Sequence, residues 1–571
     1  LRPSLSRDYS RLCSMVSTRG VSFIYLDMPE AGRILDSSLS RGRFDRTVLP
    51  KTFGKVLKDD QRYFLKCLFE KVFTSEGILR EDVDENAIFF LRQVLYLAKK
   101  VDVPCPEEAT EHAVTEFVRI EATMRRPTLS WDLDLLFEGP APTVSFLDGY
   151  IRSPDLVSHR DPIPLPLLVA VETVSDFITS MMPEFDWRSV IPGHGPGAVS
   201  DLKTGTDKYL FKFWPRKLGR VFPAEYFAQH CEDLDLSKPP LPQGESFARL
   251  AAVPKTYKGP RLITVEPVAH QYVQQGMLRW LRKNFPKPLR YCVNFNDQSL
   301  SGGAALTASL DGCEATIDLS SASDRLSCWV VERLFRRNPG LLSALHACRT
   351  RGLHLTTCGR RESLLLKKYA GQGNATTFPV QSIAYSIFAI ACLVYELDLK
   401  KLNTEKVIGL ARQIRVFGDD IIMPSFAVRS LMTLLPYLGL KVNMAKSHFQ
   451  GKFRESCGTD AYNGVDVTPV YIRSLTLGKR PGDLVSWVDV CNNAYRAGLW
   501  TLSDWMLGQI PPQKRKLIPV SKGQLGCLTL YANQDCLLSS VQRYNVNLCR
   551  DEILALQVTS KTVRQQRGEN E

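Results

Sequence analysis

Residues 416–423 read Val-Phe-Gly-Asp-Asp-Ile-Ile-Met and place two adjacent carboxylates between two short apolar segments. The apolar residues on each side predict two β-strands, and Gly418-Asp419 is the kind of dipeptide that closes a hairpin between them. Two like charges at the tip of such a hairpin are unfavourable unless a cation neutralises them. The stretch indicates a metal-binding hairpin, although an ordinary surface turn is the favoured alternative for a Gly-Asp-Asp taken alone.

A second carboxylate-bearing strand lies upstream and favours the metal-binding interpretation. In residues 315–325 (ATIDLSSASDR), apolar and polar residues alternate with the period of a half-buried strand. Asp318 stands near the end of this strand, so Asp318 and Asp419 converge if the strand lies beside the hairpin. Such a cluster suits Mg²⁺, which also takes phosphates and water as ligands. Two ions about 3.5–4 Å apart would activate an attacking hydroxyl and stabilise the leaving oxygen of a phosphoryl transfer.

The bulk composition predicts a globular protein with a polyanionic partner. The chain has 571 residues and a formal net charge of +13. Because no basic amphipathic helix stands out, nucleic acid is favoured over a membrane surface. The 15 cysteines are scattered without a Cys-x-x-Cys pair, which indicates reduced thiols rather than disulfides or a zinc site. We expect no signal peptide, because the opening segment lacks a long apolar run, and a first residue of leucine is consistent with a truncated reading frame.

The spacing of apolar residues predicts three helices. Ala87–Lys100 and Leu167–Met182 have the pattern of amphipathic helices. The longest apolar stretch, Ile383–Tyr395, is too short to span a bilayer and is typical of a buried core helix.

A basic ribbon precedes the Asp318 strand. The segment from Ala251 to Arg290 carries eight lysines and arginines against a single acid, and its central part reads VPKTYKGPRLI (253–263). Pro and Gly mark a tight turn between two extended pieces. Such a ribbon would hold a triphosphate, with Arg261 as a bidentate fork and Lys255 as a point charge. A solvated basic face is the alternative, above all for the cluster from Arg279 to Arg290.

Two further candidates lie on either side of the hairpin. The loop GQGNATTFP (371–379) leads into the apolar helix, and Asn374 or Thr377 would read a ribose hydroxyl, the group that separates RNA from DNA. Beyond the hairpin, Lys446 is the candidate general acid that protonates a departing pyrophosphate. A surface lysine is the alternative for Lys446.

The ordered motifs resemble one known family. The segments VPKTYKGPRLI, ATIDLSSASDR, GQGNATTFP, VFGDDII and FRESCGTDAYNGVDVTPVYIR (453–473) look like the replicase β subunit of the single-stranded RNA bacteriophages, the leviviruses. The resemblance spans roughly residues 251–473. FRESCG followed by YNGVDVTPVYI is particular to that family, whereas Gly-Asp-Asp is shared by most viral RNA polymerases.

The resemblance implies an α/β (α+β) fold with the right-hand architecture of fingers, palm and thumb, in which the palm is an antiparallel sheet with flanking helices. We expect residues 1–297 to form the N-terminal region and fingers, with the nucleotide-entry motif at 251–263. Residues 298–432 would form the catalytic palm core, and residues 433–571 the end of the palm and the thumb.

The resemblance also implies an activity and its ligands. The activity is RNA-directed RNA polymerisation from nucleoside triphosphates, with RNA template and product and with two Mg²⁺ ions, for which Mn²⁺ is a substitute. Asp318, Asp419 and Asp420 would be the metal-binding catalytic carboxylates, and Lys255 and Arg261 would contact the triphosphate. Asp324 lies six residues after Asp318, where many other viral polymerases place a carboxylate five residues on, so its role stays open.

The same resemblance implies partners and a location. The partners would be bacterial elongation factors Tu and Ts and, in some members, a ribosomal RNA-binding protein, with no membrane. The location would be the cytoplasm of the bacterial host. Three alternatives remain: a capsidless narnavirus- or mitovirus-type RNA polymerase, a reverse transcriptase, and a non-enzymatic RNA-binding viral protein. The FRESCG segment argues against the first, Gly418 before the paired aspartates against the second, and the gathered carboxylates against the third.

Overall fold

The computed structural model has a mixed α/β fold and describes residues 2–53, 63–133, 144–148, 163–202, 208, 211, 214–228, 245–522, 526–532 and 541–559. Its helices are α1 (Arg2–Arg19), α2 (Met28–Arg41), α3 (Lys66–Phe69), α4 (Glu85–Tyr96), α5 (Glu107–Thr123), α6 (Leu165–Ser180), α7 (Arg216–Gly219), α8 (Ala224–Phe227), α9 (Val268–Lys283), α10 (Ser299–Asp311), α11 (Ala322–Arg325), α12 (Cys328–Leu334), α13 (Pro339–Cys348), α14 (Thr377–Glu396), α15 (Thr404–Ala411), α16 (Val428–Tyr437), α17 (Pro481–Arg496), α18 (Trp500–Gly508) and α19 (Pro512–Arg515).

The strands in the described part of the chain form five small sheets. They are β1 (Ala248–Thr256), β2 (Gly259–Val265), β3 (Glu314–Asp318), β4 (Gly352–Leu355), β5 (Glu362–Leu365), β6 (Arg415–Phe417), β7 (Asp420–Pro424), β8 (Phe453–Ser456), β9 (Thr459–Tyr462), β10 (Val465–Asp466), β11 (Val520–Ser521), β12 (Leu530–Tyr531), β13 (Val541–Asn545) and β14 (Arg550–Leu554). The sheet orders are β2-β1-β4-β5, β3-β7-β6, β10-β9-β8, β11-β12 and β13-β14.

The antiparallel sheet β3-β7-β6 contains the predicted hairpin and the predicted neighbouring strand. Phe417 pairs with Asp420, which leaves Gly418 and Asp419 as a two-residue turn. Gly418 has φ +64°, the left-handed conformation that such hairpin turns require and that glycine adopts without strain. Strand β3 pairs with β7 so that Asp318 lies directly opposite Asp420. The pairing therefore brings the two carboxylate segments together, as the sequence pattern predicts.

The basic ribbon is the antiparallel pair β1 and β2 at one edge of the four-stranded sheet. Val253 pairs with Arg261, and the register shifts between Val253 and Thr256 just before the turn. One face of this sheet packs on α5, where Val114 and Phe117 join a buried cluster with Leu250 and Leu353. The N-terminal third of the chain thus supplies a helix that supports the ribbon.

Helix α14 is the central core helix. The structure places it at Thr377–Glu396, so the helix begins six residues before the apolar stretch Ile383–Tyr395. Among the described residues, it is the one helix long and apolar enough to cross a membrane, yet 94% of its apolar window is buried inside the protein. It packs with the hairpin strands in the largest hydrophobic cluster, so it fixes the back of the sheet that carries the aspartates. None of the 13 described cysteines forms a disulfide.

A second hydrophobic cluster joins the N-terminal region to residues 453–467. Residues between Phe23 and Leu95 pack against Phe453, Tyr462 and Val467 of the C-terminal half. At its centre the buried Arg92 forms ion pairs with Asp36 and Asp460 and donates a hydrogen bond from Nε to the Val467 carbonyl (3.1 Å). The N-terminal region is therefore packed against the segment that follows the hairpin.

Candidate active site

A cleft of about 770 Å³ opens where the hairpin sheet, the basic ribbon, the 371–379 loop and α5 meet. Seven of the eight predicted site residues line it, and they come from five separate stretches of sequence. These residues are Lys255, Arg261, Asp318, Asn374, Thr377, Asp419 and Lys446. Asp420 is the eighth; it is not among the lining residues, although it pairs with Asp318, which is.

Asp318 is held in place by residues that follow the hairpin. The Asn443 amide donates a hydrogen bond to Oδ2 of Asp318 (2.7 Å), and the Ser447 hydroxyl accepts one from the Asp318 backbone N–H (3.1 Å). Burial raises the pKa of Asp318 to about 7; the nearby Asp420 and Asp419 carboxylates add to this rise, while Lys446 and the Asn443 hydrogen bond oppose it. Asp318 is thus a fixed carboxylate that lacks a neutralising cation strong enough to keep its pKa low.

The two hairpin aspartates have different surroundings. Asp419 is exposed at the turn and lines the cleft. Asp420 is half-buried, and its Oδ2 accepts a hydrogen bond from the backbone N–H of Cys457 (2.9 Å). Burial and then the Asp419 charge raise the pKa of Asp420 to about 6. Asp419 is therefore the hairpin carboxylate that is directly available to a ligand.

The donor set fits a Mg²⁺ ion that is shared with a substrate. Within the described part of the chain, no three His, Cys, Asp or Glu side chains form a complete metal site by themselves. The cleft instead presents the Asp318 and Asp419 carboxylates. Mg²⁺ usually binds through one or two carboxylates plus phosphates and water, so these residues suit it better than a metal that needs an all-protein cage.

Lys446 lies in the cleft wall with a carboxylate partner. Its Nζ is 3.1 Å from Oε1 of Glu455 on β8. Although burial lowers it, the pKa of Lys446 is raised, because Glu455 and Asp318 favour the charged form. The side chain therefore stays protonated and adds a fixed positive charge beside Asp318, which also makes it a reluctant proton donor.

The two ribbon cations face the cleft from the exposed surface of β1 and β2. Lys255 and Arg261 are both exposed in the absence of a ligand. Partial burial and then the charges of Arg261 and Lys446 lower the pKa of Lys255. Two exposed cations, with the charged Lys446 close to them, are an electrostatic setting in which a polyphosphate binds well.

Asn374 and Thr377 are buried and make hydrogen bonds within their own loop. Oδ1 of Asn374 accepts hydrogen bonds from the backbone N–H (2.9 Å) and the hydroxyl (2.7 Å) of Thr376. The Thr377 hydroxyl donates to the Gly371 carbonyl (2.9 Å). These bonds shape the loop at the start of α14, so any contact with a sugar would come from a loop that is already ordered.

Gly373 is a position at which only glycine fits. Its φ is +124°, and a Cβ there would lie 2.0 Å from the Thr264 carbonyl oxygen. We expect Gly373→Ala to lower the free energy of unfolding by about 1–3 kcal/mol, because the alanine backbone is strained and the loop must move off β2. Urea denaturation would measure this loss. Gly359→Ala is the control for the backbone effect alone, since Gly359 also has a positive φ but no atom within 4 Å of its Cβ; equal losses in the two variants would contradict the steric explanation.

Several residues of the cleft give no clear signal in the sequence. Asn443 lines the cleft and Glu455 belongs to the FRESCG segment, and their contacts with Asp318 and Lys446 arise only from tertiary packing. Helix α5 contributes His112 and Glu116 to the wall. Asp324, whose role the sequence left open, lines the cleft and is 3.0 Å from Nζ of the buried Lys368. None of these pairings follows a local spacing rule, so a single sequence does not reveal them.

Comparison with known proteins gives the site its context. The family model described as "RNA replicase, beta-chain" matches residues 237–503, a region that contains every cleft residue except those on α5. The match covers just under half of the chain. The match confirms the resemblance to the levivirus replicases.

Three relatives of the replicase region show how far the likeness extends. The RNA-directed RNA polymerase subunit beta of Qbeta virus (strain MX1) is 33% identical over 52% of this chain and 47% of its own length. That of Escherichia virus Qbeta is 33% identical over 48% and 42%, and the RNA-directed RNA polymerase beta chain of Escherichia phage MS2 is 34% identical over 39% and 37%. The matches thus span about half the length of these curated relatives or less.

One solved structure, of the RNA-dependent RNA polymerase from bacteriophage phi12, aligns with 62% of this chain and 66% of its own. Its sequence identity is 12% and its TM-score 0.34.

Proposed function

We propose that this protein is an RNA-directed RNA polymerase that replicates a single-stranded RNA phage genome from nucleoside triphosphates. One observation supports this most strongly: Asp318 and Asp419 face Lys255 and Arg261 across one cleft, within the region that matches the replicase family. Carboxylates opposite cations are what a metal-dependent transfer of a nucleotide requires, since the substrate carries both a metal and a polyphosphate.

The cleft residues divide into those that hold metal and those that hold the triphosphate. Asp318 and Asp419 would bind two Mg²⁺ ions, or Mn²⁺, with Asp420 as an outer ligand. When bound, the metal would lower the pKa of the attacking 3′ hydroxyl and neutralise charge on the leaving pyrophosphate. Lys255 and Arg261 bind the triphosphate oxygens and orient them towards the carboxylates.

Four residues complete the proposed site. Lys446, kept charged by Glu455, stabilises the pyrophosphate electrostatically and is the candidate donor of its proton. Asn374 and Thr377 lie where the ordered loop would border the ribose. Asn443 donates a hydrogen bond to one oxygen of the Asp318 carboxylate. The carboxylate is therefore already oriented, and its other oxygen would bind a metal without a change of side-chain conformation.

The right-hand architecture and the host partners are part of the same proposal. Residues 1–297 would form the N-terminal region and fingers, 298–432 the palm core and 433–571 the end of the palm and the thumb. The antiparallel sheet β3-β7-β6 with α14 behind it supports the palm assignment. Elongation factors Tu and Ts, and a ribosomal RNA-binding protein, are proposed as partners from the family resemblance.

The test is incorporation of labelled nucleotides on an RNA template with Mg²⁺, with and without added elongation factors Tu and Ts. We expect ribonucleotides to be incorporated and deoxyribonucleotides to be excluded. Product only in the presence of the factors would support an obligate complex. Efficient use of deoxyribonucleotides would favour a reverse transcriptase, and RNA binding without synthesis under either condition would favour a non-enzymatic RNA-binding protein.

The raised carboxylate pKa values predict a pH dependence of metal binding. Asp318, with a pKa of about 7, is mostly protonated at pH 6 and mostly ionised at pH 8. Because a metal ligand must be deprotonated, the apparent Kd for Mn²⁺ should fall about tenfold from pH 6 to pH 8. The metal-free protein should respond oppositely: the folded state holds a proton that the unfolded state has lost, so the free energy of unfolding decreases as the pH rises from about 4 towards 7.

Both effects are measurable with matched variants. Electron paramagnetic resonance would follow free Mn²⁺, and urea denaturation would follow stability. Asp318→Asn should weaken the pH dependence of stability without abolishing it, because the pKa values of Asp420 and Asp460 are also raised, whereas Asp82→Asn, at an exposed position outside the cleft, should leave it unchanged over this range. A Kd for Mn²⁺ that does not vary between pH 6 and pH 8 would contradict the assignment of Asp318 as a ligand.

A further inference from the structure

A second groove, separate from the cleft, lies in the C-terminal part of the chain. It has a volume of about 590 Å³ and is formed by the segment before α17, by α17 itself, by α18 and by the start of α19. The residues that define it are Leu475, Lys479, Leu484, Trp487, Trp505 and Lys514. Its walls include two lysines and no aspartate or glutamate.

The two tryptophans of this groove differ in their surroundings. Trp487 is 3% exposed, belongs to the C-terminal hydrophobic cluster and donates a hydrogen bond from Nε1 to the Met506 carbonyl (2.7 Å). This contact anchors α18 against α17. Trp505, on the anchored helix, is 56% exposed. A large aromatic ring presented to solvent from a rigid helix is typical of a surface that binds a partner.

The charges around the groove select the class of partner. Lys479 and Lys514 line it, and Arg515 and Lys516 follow directly in the sequence. The neighbouring Asp483 is already paired with Arg480 (3.1 Å). The lining of the groove is therefore cationic, which favours a polyanionic partner over a neutral protein surface.

A further cavity lies beside the cleft and, like the groove, is bordered by α17. This cavity, of about 240 Å³, is lined by Lys100, Arg473 and Lys255, and Lys255 also lines the cleft. Ser486 of α17 forms part of its wall, and Leu484 and Trp487 of the same helix line the groove. Helix α17 thus borders both the groove and a cavity that carries three cations and one carboxylate, Asp102.

We propose that this groove binds single-stranded RNA outside the cleft, with a base stacked on Trp505 and phosphates held by Lys479 and Lys514. A flat aromatic ring flanked by lysines is suited to a single strand, because each base has a face that can stack and each linkage carries one negative charge. The contacts read no base edge, so the binding is independent of sequence. A duplex does not expose the base faces and binds there weakly.

This RNA-binding site is separate from the polymerisation reaction, so it is tested in the absence of nucleoside triphosphates. A single-stranded RNA that contains 4-thiouridine is photo-crosslinked to the full-length protein, which is then digested with trypsin. We expect an adduct on the peptide between Arg496 and Lys514, which contains Trp505. Trp505→Ala should lose that adduct and bind the RNA about tenfold more weakly, and Trp505→Phe should keep both. Trp500→Ala is the control, since Trp500 is 63% exposed on the same helix but does not line the groove.

The lysine contribution is measured through the salt dependence. Lys514→Ala should lower the slope of log Kd against log salt concentration by about 0.7, the value for one phosphate of a single strand. Lys401→Ala, at an exposed lysine outside both sites, should leave the slope unchanged. Unchanged affinity in Trp505→Ala together with an unchanged slope in Lys514→Ala would overturn the proposal. Because Asp419→Asn binds RNA normally under this scheme, failure of synthesis and failure of groove binding are distinguishable.

Discussion

Asp419→Asn is expected to reduce template-directed nucleotide incorporation by on the order of 10³-fold or more. A bound metal supplies several kcal/mol of transition-state stabilisation, and each 1.4 kcal/mol is about a factor of ten in rate. Asp419 is the hairpin carboxylate that faces the cleft, and asparagine keeps its size but removes its charge. The measurement is single-turnover incorporation of one labelled ribonucleotide with Mg²⁺.

The fold and the binding of RNA should survive this substitution. Asp419 is exposed in a two-residue turn and supports no core contact, so the thermal unfolding midpoint should change little. Asp398→Asn, at another exposed aspartate, is the control and should retain full activity. Near-native turnover by Asp419→Asn would contradict the assignment of a metal site to the hairpin. Loss of RNA binding together with activity would instead indicate a structural role.

Arg92→Met is expected to destabilise the protein by about 3–5 kcal/mol. The substitution keeps most of the side-chain volume but leaves Asp36 and Asp460 buried without their shared cation, and removing one partner of a buried ion pair costs about that much. Even with Arg92 present, burial raises the pKa of Asp460 to about 6. Urea denaturation followed by circular dichroism would measure the change.

The exposed pair of Arg80 and Asp82 provides the matched control. Arg80→Met should alter the free energy of unfolding by less than about 1 kcal/mol, because surface ion pairs are weak. If the loss in Arg92→Met were as small as in Arg80→Met, the buried network would not hold the N-terminal region to the C-terminal half. The triple change of Arg92, Asp36 and Asp460 to apolar residues should recover part of the stability, since no charge is then left unpaired.

The sequence predicted the elements of the site better than their detailed contacts. The alternation around Asp318 and the turn at Gly418 are local signals, and the structure confirms both strands and their pairing. The surroundings of Asp420, in contrast, are not predictable from the sequence. Asp420 is the first residue of β7 and pairs directly with Asp318, so the two side chains share one face of the sheet, and Oδ2 of Asp420 accepts a hydrogen bond from the Cys457 backbone N–H that no local pattern predicts.

The residues that the sequence did not reveal are those that act through long-range packing. Asn443 contacts Asp318 across more than a hundred residues, and α5 reaches the cleft from the N-terminal third of the chain. An asparagine in a loop or a histidine on an amphipathic helix carries no spacing that assigns it to a distant carboxylate. The charge of Lys446 likewise depends on Glu455, which belongs to another strand.

The hydrophobic cluster that joins the N-terminal region to residues 453–467 has a consequence for biosynthesis. The apolar surface between Phe23 and Leu95 is completed by Phe453, Tyr462 and Val467, which leave the ribosome much later. At bacterial translation rates this interval is roughly 20–70 s. During that time the nascent N-terminal region exposes apolar surface that is buried in the folded protein. Synthesis of an active protein should therefore depend on chaperones that protect the early segment until the last third of the chain has been made.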